Sequence, residues 1–132
     1  MKHYELLLSL FLVSCATMVT EMPETTITTQ RTHELMQSDT SVVILDVRRM
    51  DEFTSESGHL AGAILIPVQE LEARVNELEP YKDKTIIAVC RSGNRSGRAT
   101  MFLNGKGFKV MNMLGGMIQW NDERLPVVHE KR

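Results

Sequence analysis

Val42-Val43-Ile44-Leu45-Asp46-Val47 is a run of strand length that lacks the polar alternation one wet face would impose. Such a run belongs to a strand covered on both faces, and sheets built from these strands are parallel. Three further stretches fit the same description: Ile64-Leu65-Ile66, Thr85-Ile86-Ile87-Ala88-Val89, and Phe108-Lys109-Val110-Met111-Asn112-Met113. The segments between them are helical in pattern. Residues 49–53 allow one turn, and residues 68–78 carry Leu71, Val75 and Leu78 at helical spacing with charges between them, stopped by Pro80. Residues 95–104 form a third helix that ends at Gly105 and Gly107, and Gly115-Gly116 turn the last strand into a short helix carrying Trp120. At the front, an edge strand near Ile27 leads into a helix that Thr29 caps and that runs to Ser38, with Leu35 and Met36 facing inward. Strands alternating with helices imply an α/β three-layer sandwich: a central, mostly parallel sheet of about five strands with helices on both faces.

The chain has 132 residues, enough for one domain of ordinary size. Its formal charge of -2 provides no basic excess, and Lys and Arg are spread along the sequence, so nucleic acid is not an expected partner. The four histidines, His3, His33, His59 and His129, lie far apart. No Cys/His pair has metal-ligand spacing, and neither a metal site nor a cofactor is expected.

The first residues read as a leader. Leu6-Leu7-Leu8-Ser9-Leu10-Phe11-Leu12-Val13 is apolar but shorter than the roughly 20 residues a spanning helix takes. It has the length of a signal-peptide core. Leu12-Val13-Ser14-Cys15 is similar to the bacterial lipobox, in which a cysteine after a small residue is acylated and becomes the mature N-terminus. The division that follows is residues 1–14 as a lipoprotein signal peptide, 15–26 as lipid anchor (Cys15) and Thr-rich tether, and 27–132 as the folded domain. An ordinary signal cleaved after Ala16 or Thr17, or an apolar tail on a cytosolic protein, is the alternative. The lipobox reading places the chain in the bacterial cell envelope, facing the periplasm, touching the membrane only through its anchor.

Cys90 is then the single cysteine of the domain and has no intradomain disulfide partner. It ends an apolar strand and precedes a helix, where unpaired backbone N–H groups and the helix dipole favour negative charge. In a parallel sheet, ligands bind outside the carboxyl ends of the strands. The following loop, Cys90-Arg91-Ser92-Gly93-Asn94-Arg95-Ser96, supplies what a thiolate needs. Arg91 and Arg95, with Arg98 a turn further on, provide cations that depress a thiol pKa. Gly93 lets successive N–H groups converge on one anion, and Ser92, Asn94 and Ser96 brace the curl. An isolated cysteine at a strand end is more often an inert core residue. Two arginines, a glycine and a helix start within seven residues argue for a reactive one.

This loop resembles the active-site loop of single-domain rhodaneses. Leu45-Asp46-Val47-Arg48 with Glu52-Phe53, then Gly58-His59-Leu60-Ala61-Gly62-Ala63 with Pro67, and finally Gly115-Gly116 with Trp120, resemble further landmarks of that family in the same order. The resemblance implies the rhodanese-like sandwich and a sulfurtransferase. Cys90 would take a sulfane sulfur from thiosulfate or a similar donor as a persulfide and pass it to cyanide or a thiol. Arg91 and Arg95, with the loop residues Ser92, Gly93, Asn94 and Ser96, would hold the donor anion and the charged sulfur. Asp46 and Arg48 would support the site from the neighbouring strand end, with Glu52 as the ionic partner of Arg48. His59 is expected in a turn or packing role. Small-molecule sulfur donors and acceptors are the implied partners, and no obligate protein partner is implied.

Two other functions compete. Cysteine phosphatases and arsenate reductases also use a Cys-to-Arg anion loop, but theirs has five intervening residues, whereas four separate Cys90 from Arg95. A non-catalytic persulfide carrier or redox-sensing module is the other alternative, since a low-pKa thiolate is readily oxidised.

Overall fold

The computed structural model describes residues 24–129; the signal-peptide, Cys15 and most of the tether expectations lie outside them. Five strands form one sheet in the order β1-β5-β4-β2-β3, with every pairing parallel. They are β1 (Thr26–Ile27), β2 (Val42–Asp46), β3 (Ile64–Leu65), β4 (Thr85–Val89) and β5 (Lys109–Met113). The helices are α1 (Thr29–Ser38), α2 (Met50–Phe53), α3 (Leu71–Arg74), α4 (Asn94–Gly105) and α5 (Gly116–Asp122). Among the described residues, no helix is long and apolar enough to cross a membrane.

The apolar runs divide their side chains between two cores with the two-residue period of a strand. Leu45, Ile86 and Ala88 pack on one face with Leu71, Leu78, Ala99 and Leu103. Ile44, Ile87 and Val89 pack on the other with Met117 and Trp120, against which Leu35 and Met36 of α1 also lie. Covering on both faces explains the absence of alternation. Trp120 is fully buried, edge-on to His33, and its Nε1–H donates to the Pro126 carbonyl.

Three local expectations are corrected. Thr28, not Thr29, caps α1: its hydroxyl accepts the Arg31 N–H at 3.1 Å. Thr29 is already helical and donates from its buried hydroxyl to Glu123 at 2.6 Å. The helix expected over residues 68–78 is a composite, with 3-10 turns at Val68–Glu70 and Val75–Tyr81 flanking the single α-turn α3. Val75, Leu78 and Tyr81 are spaced by three, the period of a 3-10 helix, so this winding turns all three to the core. Pro80 therefore lies inside the last 3-10 segment rather than ending an α-helix. The second apolar stretch contributes only the two-residue edge strand β3.

The topology locates a crevice. From β2 the chain moves outward to β3, and from β4 it moves outward to β5 in the opposite direction. Leu60 and Ala63 of the first connection pack with the Trp120 core, whereas Ala99 and Leu103 of the second pack on the other face. Connections leaving adjacent strands toward opposite faces open a gap at their carboxyl ends. Asp46 and Val89, the last residues of β2 and β4, are paired in register at that gap.

Candidate active site

Cys90 follows Val89 directly and is 1% exposed. Gly93, with φ of +103°, is the N-cap of α4 and turns the loop back so that its N–H donates to the Cys90 Sγ at 3.0 Å. A residue with a Cβ is strained at that φ. Ser96, fully buried in the first turn of α4, places its hydroxyl 3.2 Å from the same sulfur. Burial pushes the Cys90 thiol up, but the Ser96 hydroxyl and the backbone N–H groups of Ser96, Gly93 and Ser92 outweigh it and hold the thiol below its ordinary value. The arginines are not the main cause. Ser92 and Asn94 are exposed, and their side chains make no hydrogen bond among the described residues, so of the three side chains expected to brace the curl only Ser96 does.

The Gly115-Gly116 turn brings the start of α5 against the loop. Met117 N–H donates to the Cys90 carbonyl at 2.9 Å and Ile118 N–H to the Arg91 carbonyl at 3.1 Å, so the first amides of α5 satisfy the loop's own carbonyls. A Cβ on Gly116, whose φ is +58°, would run into those two carbonyls. Gly116 is thus a site of close backbone approach as well as a turn.

The charged residues are paired differently from expectation. Arg48 and Asp46 form a buried two-pronged pair, Nε to Oδ1 at 3.0 Å and Nη2 to Oδ2 at 2.8 Å. Arg48 also donates to the carbonyls of Gly58 at 2.8 Å and Glu52 at 3.2 Å, tying the loop after α2 to the end of β2. The Glu52 carboxylate pairs instead with Arg95, through two contacts of 2.7 Å. Glu52 stands at the third position of α2 and accepts the Arg49 N–H at 3.0 Å, which aims its oxygens away from Arg48 and toward α4. Two of the Arg95 N–H groups are therefore held by α2. Arg98 is exposed on a separate groove beside Leu71 and Phe102. Arg91 is exposed, and its side chain makes no hydrogen bond or ion pair among the described residues. It reaches a cleft of about 510 Å³ between α2 and α5, bordered also by Ser55, Ser57 and the carboxylates Asp51, Glu52, Glu56 and Asp122. His59 stacks on Phe53 at 3.7 Å between ring centroids and bonds the Phe53 carbonyl through Nδ1.

The Arg95 guanidinium holds the Glu52 carboxyl down at about 2, from an ordinary 4.5. A carboxylate depressed on folding stabilises the protein above its unfolded pKa, and that contribution is lost as pH falls from 4.5 toward 2. Glu52→Gln is expected to lower stability at neutral pH and to flatten its decline across that window. Urea midpoints measured against pH check this; parallel curves for variant and wild type would refute it.

Sequence reasoning missed Asn112. Its Nδ2–H donates to the Gly93 carbonyl at 3.0 Å, and its Oδ1 lies 2.6 Å from the Ser96 hydroxyl. The signal was an amide inside the otherwise apolar second half of β5, opposite Gly97, where a Cβ would approach the Asn112 Nδ2 to 3.2 Å. Among the described residues, no group of three or more His, Cys, Asp or Glu is placed to hold a metal.

The model of the rhodanese-like domain matches residues 28–123, a span that contains the whole sheet from α1 onward, the cysteine loop and α5. The chain belongs to the rhodanese family. A sulfurtransferase of Allochromatium vinosum is 33% identical over 88 residues, covering 66% of this chain and 78% of that protein. YrkF of Bacillus subtilis, a candidate sulfur carrier protein, is 41% identical over 86 residues. The match covers 64% of this rhodanese-like chain but only 44% of YrkF. The crystal structure of a rhodanese-related protein from Thermoplasma volcanium superposes with a TM-score of 0.72 at 33% identity, covering 80% of this chain and 98% of that one.

Proposed function

We propose that this rhodanese-like protein is a sulfurtransferase that carries a sulfane sulfur on Cys90. The observation that supports this reading most is that the loop's donors converge on the cysteine sulfur itself: Gly93 N–H at 3.0 Å and the Ser96 hydroxyl at 3.2 Å. Donors spent on the sulfur stabilise a thiolate or a persulfide more directly than a separate tetrahedral phosphate. In the first step the Cys90 thiolate attacks the outer sulfur of thiosulfate; a new S–S bond forms, the old one breaks, and sulfite leaves with the electron pair. Arg91, whose side chain has no partner among the described residues, supplies charge that receives the donor anion, beside Arg95, which Glu52 holds through two of its N–H groups. In the second step cyanide or a thiolate attacks the outer sulfur of the persulfide, and Cys90 departs as the thiolate the loop already stabilises.

Intact mass tests the reading. Incubation with thiosulfate should add one sulfur atom to the protein, and cyanide should remove it. A persulfide that forms but does not turn over would make the protein a carrier; no persulfide, together with hydrolysis of an aryl phosphate, would make it a phosphatase.

The location proposed with this activity is the cell envelope, with Cys15 acylated. Radiolabelled palmitate should enter the wild type and not Cys15→Ser. Equal labelling of the two would refute the anchor.

A further inference from the structure

The Ser96 hydroxyl has two acceptors and one proton. Its oxygen lies 3.2 Å from the Cys90 Sγ and 2.6 Å from the Asn112 Oδ1, and a hydroxyl can donate to one of them at a time. The Asn112 amide cannot evade the competition by turning over. Its Nδ2–H is bonded to the Gly93 carbonyl at 3.0 Å, and the reversed amide would set two carbonyl oxygens against each other. Ser96 is equally fixed: it is fully buried, and its own carbonyl accepts the Thr100 hydroxyl at 2.8 Å.

We propose that Asn112 is a positioning residue that competes with the Cys90 sulfur for the single Ser96 proton, and so sets how readily the thiol ionises. This rests on the sulfurtransferase reading only for its consequence in turnover. In the thiol state the S–H points at the Ser96 oxygen, and the Ser96 proton points at Asn112. On ionisation the cysteine proton leaves for solvent, and the Ser96 proton swings from Asn112 to the sulfur. The thiolate gains a donor and Asn112 loses one. When an acceptor takes the outer sulfur, the same swing receives the departing thiolate. Asn112 thus keeps the resting thiol more protonated than the loop amides with an uncontested Ser96 hydroxyl would. It also steadies, through the Gly93 carbonyl, the turn that aims the Gly93 N–H.

The charged groups around the loop are Arg91 on the loop itself, Arg95 of α4 paired with Glu52 of α2, and Asp46 of β2 paired with Arg48. The α5 residues in contact with the loop, Gly116, Met117 and Ile118, carry no charge. All these groups are kept in the variants below.

The test is a double-mutant cycle in the full chain with Cys15→Ser, so that Cys90 is the only thiol. Its ionisation is read from thiolate absorbance against pH, with Cys90→Ser as the blank for tyrosine. Ser96→Ala should raise the Cys90 pKa in the wild-type background, and should raise it further, by about one more unit or tenfold in the thiolate ratio, in the Asn112→Ala background. There the whole Ser96 proton is available to be lost. Asn112→Leu, closer in volume, should give the same sign should the alanine loosen β5. Equal upward shifts from Ser96→Ala in both Asn112 backgrounds would overturn the proposal, as would a smaller shift beside Asn112→Ala. Neither result would touch the sulfurtransferase reading, which the persulfide mass decides separately.

Discussion

Cys90→Ser is expected to abolish sulfur transfer, by roughly 10⁴-fold or more, while the domain stays folded. The loss is chemical. A serine hydroxyl is almost wholly protonated near neutrality, and its oxygen cannot hold a sulfane sulfur as a persulfide, so neither half of the reaction has a carrier. The fold survives because the replacement is nearly isosteric and finds its donors in place, from the Gly93 N–H and the Ser96 hydroxyl. The cost in stability should be about 1 kcal/mol, the scale of one altered hydrogen bond. The measurement pairs thiosulfate:cyanide turnover with thermal unfolding of the same sample. A folded Cys90→Ser protein that still turns over would mean that another group is the nucleophile.

The fold was legible because its signal is two-state and local. Runs covered on both faces have no alternation, and Val42–Asp46, Thr85–Val89 and Lys109–Met113 emerged where the apolar stretches lay. The site was legible to the extent that its residues are contiguous: Cys90, Gly93 and Ser96 lie in one loop, and strand-to-helix geometry alone aims them at one sulfur. The pairing of the charges was not. Glu52 is 43 residues from Arg95 and only four from Arg48, and sequence proximity favours the wrong partner. Its direction is decided by the capping geometry at the start of α2 and by the adjacency of β2 and β4, neither of which is written in a spacing. Asn112 escaped for a related reason: it reaches the loop only because β5 lies beside β4.

Arg48→Met is expected to cost about 3–5 kcal/mol, the penalty of leaving a buried carboxylate without its partner. The side chains of Arg48 and Asp46 are 2% and 1% exposed, so water cannot take over the lost contacts. The guanidinium also donates to the Gly58 and Glu52 carbonyls. Its removal therefore strands the Gly58 carbonyl as well as the carboxylate, whereas the Glu52 carbonyl keeps the Ser55 hydroxyl and N–H as donors. Against a typical total stability of about 5–15 kcal/mol, that loss should lower the thermal midpoint by about 10 °C or more. The double replacement Asp46→Leu with Arg48→Met separates the terms. It removes the stranded charge and should recover part of the loss, but not all of it, since the Gly58 carbonyl still lacks its donor. Through Glu52 the damage should also reach the reactive loop, because the segment that Arg48 holds carries the carboxylate that anchors Arg95. Thermal unfolding of the three proteins decides the matter. A single variant within about 1 kcal/mol of wild type would show that Arg48 is not the strut joining β2 to the segment beyond α2.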